Sequence, residues 1–336
     1  MNQALVNHSF QHRQAAHCET GVASALLSHN GLPLSEPMAF GLAAGLSFAY
    51  LPIVKLSGMP LIAYRMPPRA ILKGLQQRLG VKLHFQTFSD PAKGMAELDK
   101  QLDQGRLVGL QTSVFWLPYF PETMRFHFNA HNLLVYGRDG DDYLISDPVF
   151  EEGVRCDRQA LQKARFAKGA LAAKGMLYYP TQVPQQFDLA TTARAAIRKN
   201  YRIMMNAPLP MIGVKGIRYL GKKIVQLSGD SKKSERYLPL YLSHIVRMQE
   251  EIGTGGAGFR FIYAAFLREV GQALANDRLK EAAAIMTEAG DDWRKFALLS
   301  SKMCKGRSPM DSKLLQATLN GCADQEAQAW RLLKQF

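Results

Sequence analysis

Three short strings hold residue types that can do chemistry together: His17-Cys18-Glu19-Thr20, His131-Asn132-Leu133-Leu134-Val135-Tyr136-Gly137 and Ser146-Asp147-Pro148. The first opens a run with helical spacing, the second reads as a strand, and the third ends the next strand. A free thiol is only a few per cent ionised at neutral pH. A helix N-terminus and a neighbouring imidazolium both favour the thiolate. A carboxylate on the second ring nitrogen fixes the tautomer and orientation of that imidazole. The spacing therefore predicts Cys18 as nucleophile, His131 as base and Asp147 as its orienter, acting through a thioester. Taken singly, each residue has a plainer reading. A lone cysteine is usually a small buried hydrophobe, a lone histidine a satisfied core residue, and Asp before Pro a turn residue. Their joint occurrence in this order, on these elements, decides for a catalytic triad.

A helix-start cysteine followed by a strand histidine and an aspartate one strand later is the chain order of papain-like cysteine enzymes. Such enzymes place a glutamine shortly before the nucleophile as an oxyanion donor, so Gln14 is expected in that role ahead of Gln11. His17 is a rival base by adjacency. Neighbouring residues at a helix start point in different directions, so His17 is expected to wall the site instead, with Glu19 also facing substrate. Cys156, Cys304 and Cys322 have no partner signal and receive no role.

The elements that must position these groups are legible up to about residue 182. A helix is expected from Cys18 to His29, with Val22, Ala25, Leu26 and His29 on one face and Asn30-Gly31 as its stop. Strands are expected at Leu61–Met66, Lys82–Phe88, Leu107–Ser113, Asn132–Gly137, Tyr143–Ser146 and Met176–Tyr179, with a tight turn at Arg138-Asp139-Gly140-Asp141. From about residue 188 alternation disappears. Phe259, Ile262, Tyr263, Phe266 and Val270 form one apolar helical stripe, and Trp293, Phe296, Leu315, Leu319, Trp330 and Leu333 continue such spacing. The expected fold is α+β: a papain-like catalytic domain over 1–182 with an antiparallel sheet, then an all-helical domain over 188–336.

Composition narrows the function. The chain has 336 residues, 42 Lys and Arg against 28 Asp and Glu, and a net charge of +14. Four scattered cysteines exclude a disulfide framework or a structural zinc site. Met1–His8 lacks the basic and apolar regions of a signal peptide, so a cytoplasmic protein is expected. The nearly uncharged run Met38–Val54 is short for a bilayer core of ~30 Å and contains Gly41, Gly45 and Pro52. A buried helix and loop beside the active site is expected there. Between Arg194 and Lys233 ten basic residues face one acid, Asp230. No zinc finger, RNA-recognition motif or helix-turn-helix accompanies them, which ranks nucleic acid last. Met204, Met205, Leu209, Met211, Ile212 and Val214, flanked by cations, leave open a peripheral contact with the inner face of a membrane, with core or domain interface the preferred reading.

His17-Cys18-Glu19-Thr20, Asn30-Gly31-Leu32, Leu34-Ser35-Glu36 and the run Gly41–Tyr50 together resemble the N-terminal domain of butirosin biosynthesis protein H. Glu250–Arg260, with Tyr263, Phe266 and Leu267, is similar to the helical domain that accompanies it. The type member is an acyltransferase that takes an aminoacyl chain from an acyl carrier protein and places it on an aminoglycoside amine. The resemblance implies catalysis by Cys18, His131 and Asp147 and transfer from a carrier-protein thioester to an amine or hydroxyl of a small-molecule or lipid acceptor. No bound cofactor is implied, because the acyl group arrives on the carrier's own phosphopantetheine. A dry site that limits water suits such transfer, and the glycine-rich Phe40–Tyr50 run is expected to wall it, with Tyr50 at the substrate. The alternative is that its glycines allow close packing. Gly253–Gly258 lacks the Lys-Ser/Thr ending of a phosphate loop and follows no strand. It is a helix-breaking turn, either structural or facing substrate, with Arg260 placed to hold a carboxylate or phosphate. Carrier proteins are usually acidic, and Arg218, Lys222 and Lys223 are expected to dock one. The competing classes are a papain-like cysteine peptidase or amidase, which uses water as acceptor, and a non-catalytic carrier- or membrane-binding accessory protein.

Overall fold

The structure, a computed structural model, describes residues 5–56, 58–230 and 235–336. Residues 1–4 of the N-terminal segment, and Lys232 and Lys233 of the basic cluster, lie outside the described residues. The chain separates into two compact units. The first comprises 1–39 and 71–187, and the second comprises 40–70 and 188–336. The division is not one cut near residue 185, because residues 40–70 cluster with the helical part.

In the first unit a seven-stranded sheet has every neighbouring pair antiparallel. Its strands are β1 (Leu5–Val6), β4 (Lys82–Gln86), β5 (Val108–Thr112), β6 (His131–Asp139), β7 (Asp142–Ser146), β8 (Val154–Asp157) and β9 (Leu177–Gln182). The order is β4-β9-β5-β6-β7-β8, with β1 also on β6. The β6–β7 hairpin turns at Gly140, whose φ of 62° lies in the left-handed region that glycine adopts freely. Helices α4 (Pro91–Asp103) and α5 (Arg158–Phe166) place Met95, Leu98, Leu102, Leu161 and Ala164 in one apolar core with Val108, Leu110, Leu133, Val135, Ile145 and Leu177. Alternation along β5 and β6 supplies the sheet side of that core.

Helix α1 (Cys18–His29) begins where His17 accepts the Thr20 N–H through Nδ1, 3.3 Å away. It ends at Asn30 before Gly31, whose φ is 90°. Gly21 lets it come close to the Asp147-Pro148 corner, since a Cβ there would fall 2.7 Å from Ala15 and 2.9 Å from Pro148. Helices α2 (Glu36–Leu42) and α3 (Ala70–Leu79) follow on either side of a hairpin of β2 (Leu46–Leu56) and β3 (Met59–Arg65). The Met38–Val54 run is thus the end of a short helix and a strand, not a helix and loop. Among the described residues no helix is long and apolar enough to cross a membrane.

In the second unit the hairpin packs with α6 (Leu189–Asn206), α7 (Gly213–Ser228), α8 (Tyr237–Val246), α9 (Arg260–Ala273), α10 (Asp277–Cys304) and α11 (Ser312–Leu333). Trp293, Trp330, Tyr263, Phe266, Phe40 and Phe48 are fully buried. Phe40 stacks on Phe259 with centroids 5.1 Å apart. Asn200 donates to the Leu46 carbonyl at 2.5 Å and the Tyr50 N–H to the Met211 carbonyl at 2.9 Å. Met204 and Val214 are core residues here, whereas Leu209 is exposed. The glycines of the 40–50 run serve packing in this unit: a Cβ on Gly41 would fall 2.0 Å from the Phe266 ring.

Candidate active site

Cys18 is the first residue of α1, at the positive end of the helix. Two N–H groups just before it are held by one carboxylate: Glu36 accepts from Ala16 at 2.9 Å and from His17 at 2.7 Å. Glu36 is half-buried. That burial raises its pKa, against the lowering effect of the two amides. The segment leading to Cys18 is also tied to the strand end that holds Asp147. Ala15 N–H donates to the Pro148 carbonyl at 2.9 Å, and His12 bridges Ser146 at 2.6 Å and the Phe150 carbonyl at 3.0 Å. A carbonyl only accepts, so His12 donates from Nε2 to Phe150.

His131 is the first residue of β6, opposite Thr112 of β5. Asp147 follows the last residue of β7, so the hairpin brings both to one end of the sheet. His131 Nε2 and Asp147 Oδ2 are 2.7 Å apart, both buried. Asp147 accepts two further bonds, from the Tyr119 hydroxyl to Oδ2 at 2.9 Å and from the Val149 N–H to Oδ1 at 3.1 Å. Phe120 sets its ring edge-on to His131, with centroids 5.5 Å apart. Burial disfavours the imidazolium. The charge and hydrogen bond of Asp147 outweigh it, and with the hydrogen bond and charge of Cys18 they push the His131 pKa up to about 10. Cys18, His131 and Asp147 are therefore brought together in the predicted order. With Nε2 given to Asp147, Nδ1 is the nitrogen left for the thiol.

Other expected site residues have different duties. Gln14 is exposed and donates to the Val149 carbonyl at 3.2 Å, so its amide fastens the segment before α1 to the segment after Asp147. His17 is buried as the α1 cap and bonds the Thr20 hydroxyl as well as its amide. Glu19 is fully buried and accepts from Ile71 N–H at 3.1 Å, capping α3. Tyr50 lies buried against Tyr219 and Tyr241 in the second unit. Arg260, also in that unit, pairs with Glu326 through Nε and Nη2 at 2.9 and 3.2 Å and donates to the Gly258 carbonyl at 2.7 Å. Its guanidinium is occupied within the fold and cannot also hold a substrate carboxylate. Gly253, Gly255, Gly256 and Gly258 all have positive φ, and the turn they make wraps the chain's own Glu250, whose oxygens accept from Ala257 N–H at 3.1 and 3.2 Å. That turn is an anion cradle filled from inside. Arg218 pairs with Asp324, Lys223 donates to Gln226 at 2.9 Å, and Lys222 is exposed.

Tyr119, Phe120, His12 and Glu36 were not found from sequence. Tyr119 and Phe120 had one visible signal, the aromatic density of Phe115–Phe128 between two strands. A cavity of about 550 Å³ in the first unit, lined by Thr87, Phe88, Ser89, Phe166, Lys168 and Lys174 among others, contains none of the triad. Among the described residues no three His, Cys, Asp or Glu side chains gather as a metal would require.

No curated protein matches the chain. A crystal structure of a C39-like peptidase from Bacillus anthracis is similar at 15% identity, covering 55% of this chain and 100% of that one, with a TM-score of 0.37. The family model for the N-terminal domain of butirosin biosynthesis protein H matches residues 17–148, the span from His17 to the proline after Asp147. A second, described as a domain of unknown function (DUF4872), matches 159–333. With the helix-start cysteine and strand-borne His–Asp pair lying inside the first of these spans and the helical stripes inside the second, the chain belongs to the DUF4872 family and carries, ahead of that domain, one similar to the N-terminal domain of butirosin biosynthesis protein H.

Proposed function

We propose that the protein moves an acyl group from the phosphopantetheine thioester of an acidic acyl carrier protein, through an acyl-enzyme at Cys18, to an amine or hydroxyl of a small-molecule or lipid acceptor. The observation that supports this reading is the imidazole of His131, bonded to Asp147 on one side and to Cys18 on the other. The Cys18 thiolate attacks the donor carbonyl carbon, and the oxyanion forms at the positive end of α1. Collapse breaks the donor C–S bond, and the departing thiolate takes the proton from His131. One thioester replaces another, so the step is nearly balanced. In the second half the acceptor attacks the Cys18 thioester, His131 takes the acceptor's proton, and Cys18 leaves as a thiolate, restoring the starting pair.

Intact-mass measurement tests the proposal. Acyl-loaded carrier proteins should add the acyl mass to the native chain and not to Cys18→Ala, and an added amine or alcohol should discharge the adduct faster than buffer alone. Absence of an adduct with loaded carriers would overturn the donor class. Discharge at the same rate with and without acceptors would make the protein a hydrolase.

A further inference from the structure

We propose that Tyr119 is a positioning residue of the triad, whose hydroxyl holds the Asp147 carboxylate in plane and shares the oxygen that binds His131, so limiting how tightly the imidazole keeps its proton. The inference rests on Cys18 and His131 forming the reactive pair described above. Its basis is geometric. Oδ2 of Asp147 accepts from His131 Nε2 at 2.7 Å and from the Tyr119 hydroxyl at 2.9 Å, while Oδ1 takes the Val149 N–H. Bonds to both oxygens hold the carboxylate against rotation about its last single bond, in the orientation that serves His131. Tyr119 lies in the 113–130 connection between β5 and β6. Its ring meets Phe150 edge-on at 5.4 Å, while Phe120 beside it meets His131. Ring and hydroxyl therefore have separable duties.

A hydroxyl that donates to a carboxylate draws off part of its charge. Burial first, and Asp147 second, hold the Tyr119 phenol well above its ordinary pKa, so it stays a neutral donor at every working pH. Among the described residues the titratable groups that face the assembly are Cys18 and Glu19 from α1, His131 from β6, Asp147 from the end of β7, Tyr119 itself, Cys156 of β8, which adds to the Tyr119 shift, and Tyr178 of β9, which feels the charge of Glu19 and Cys18. Without the hydroxyl the carboxylate's charge falls more fully on His131. The imidazolium then becomes a weaker acid toward the leaving thiolate.

The test is the pH profile of Cys18 alkylation by iodoacetamide, read by peptide mapping, in the native chain, Tyr119→Phe, His131→Ala and the double variant. The native profile should show a lower step for the thiol and an upper step for His131. Tyr119→Phe keeps the ring, and it should raise the upper step by roughly half to one pH unit, less than the full worth of a hydrogen bond to a charged group because Tyr119 reaches His131 only through the shared carboxylate oxygen. In the His131→Ala background it should change nothing, because Tyr119 acts through His131. An upper step unmoved in Tyr119→Phe, while His131→Ala still abolishes it, would overturn the Tyr119 proposal alone. An equal effect of Tyr119→Phe in both backgrounds, or loss of the folded state in that variant, would overturn it as a merely structural role. Coincident native and His131→Ala profiles would instead overturn the Cys18–His131 pair on which it rests.

Discussion

At the scale of single residues, the chemistry depends on which thiol can ionise. Burial pushes Cys156 up to about 12 and also raises Cys304 and Cys322, whereas Cys18 sits at a helix start beside His131. Iodoacetamide at neutral pH should therefore label Cys18 first, and peptide mapping that finds Cys156, Cys304 or Cys322 labelled preferentially would refute this. His131 also makes stability depend on pH. Its folded pKa, about 10, lies above the unfolded value of ~6.5, so its contribution is complete below ~pH 6.5 and is lost as pH rises through about 10. The melting temperature should fall between pH 7 and 10, and His131→Asn should lack that fall. The triad was legible because its residue types sit at element ends that turn and strand patterns define. Gln14 was not, because a flexible side chain in an irregular segment goes where an acceptor is, and the Val149 carbonyl is that acceptor. Arg260 was misread because a buried Glu326, 66 residues away, takes its charge.

At the scale of elements, the approach to α1 is set by Glu36. Glu36→Ala leaves two N–H groups without their partner; that of buried His17 loses about 1–3 kcal/mol, whereas that of exposed Ala16 can turn to water. The variant should melt earlier and form the acyl-enzyme more slowly, with Glu36→Gln, which still offers one oxygen, nearer the native chain. In the second unit the 253–258 turn should be sensitive to any added Cβ. Gly258 has φ of 55° and a Cβ there would fall 2.3 Å from the Tyr64 ring. Gly258→Ala should lower the melting temperature, and added phosphate should not restore it. Most strands were visible as alternating runs, with ends displaced by up to three residues. Strand β2 was missed because its uncharged, glycine-led run has no alternation to see, being buried at successive positions from Leu46 to Ser47 and Phe48. Strands β1 and β8, of two and four residues, are too short to show a period.

At the scale of the molecule, charge is divided unequally. The unit that holds the triad has 15 basic and 14 acidic residues, whereas the other has 27 and 14, so +13 of the +14 falls there. Carrier docking on α7 is the proposal this division supports. Lys222→Glu with Lys223→Glu should slow acylation from a carrier-bound donor several-fold and leave a pantetheine or N-acetylcysteamine ester unaffected. Salt should mimic the defect in the native chain, because charge steering is screened over ~8 Å at physiological ionic strength. Arg218 is a poorer choice for reversal, since a glutamate there would face Asp324. Equal loss on both donors would count against docking. The interleaving of the units has a further consequence, which concerns birth more than working life. Phe40, Phe48 and Tyr64 leave the ribosome about 200 residues ahead of Phe259, Phe266 and Trp293, which cover them. At 5–20 residues per second that is on the order of ten to forty seconds with an apolar hairpin exposed. The sheet of the first unit is complete only when β9 has emerged, more than a hundred residues after the hairpin. The nascent chain should thus expose an apolar surface through much of its synthesis, and a gene truncated anywhere before the α9 codons should encode a sticky, unfinished product that aggregates on expression.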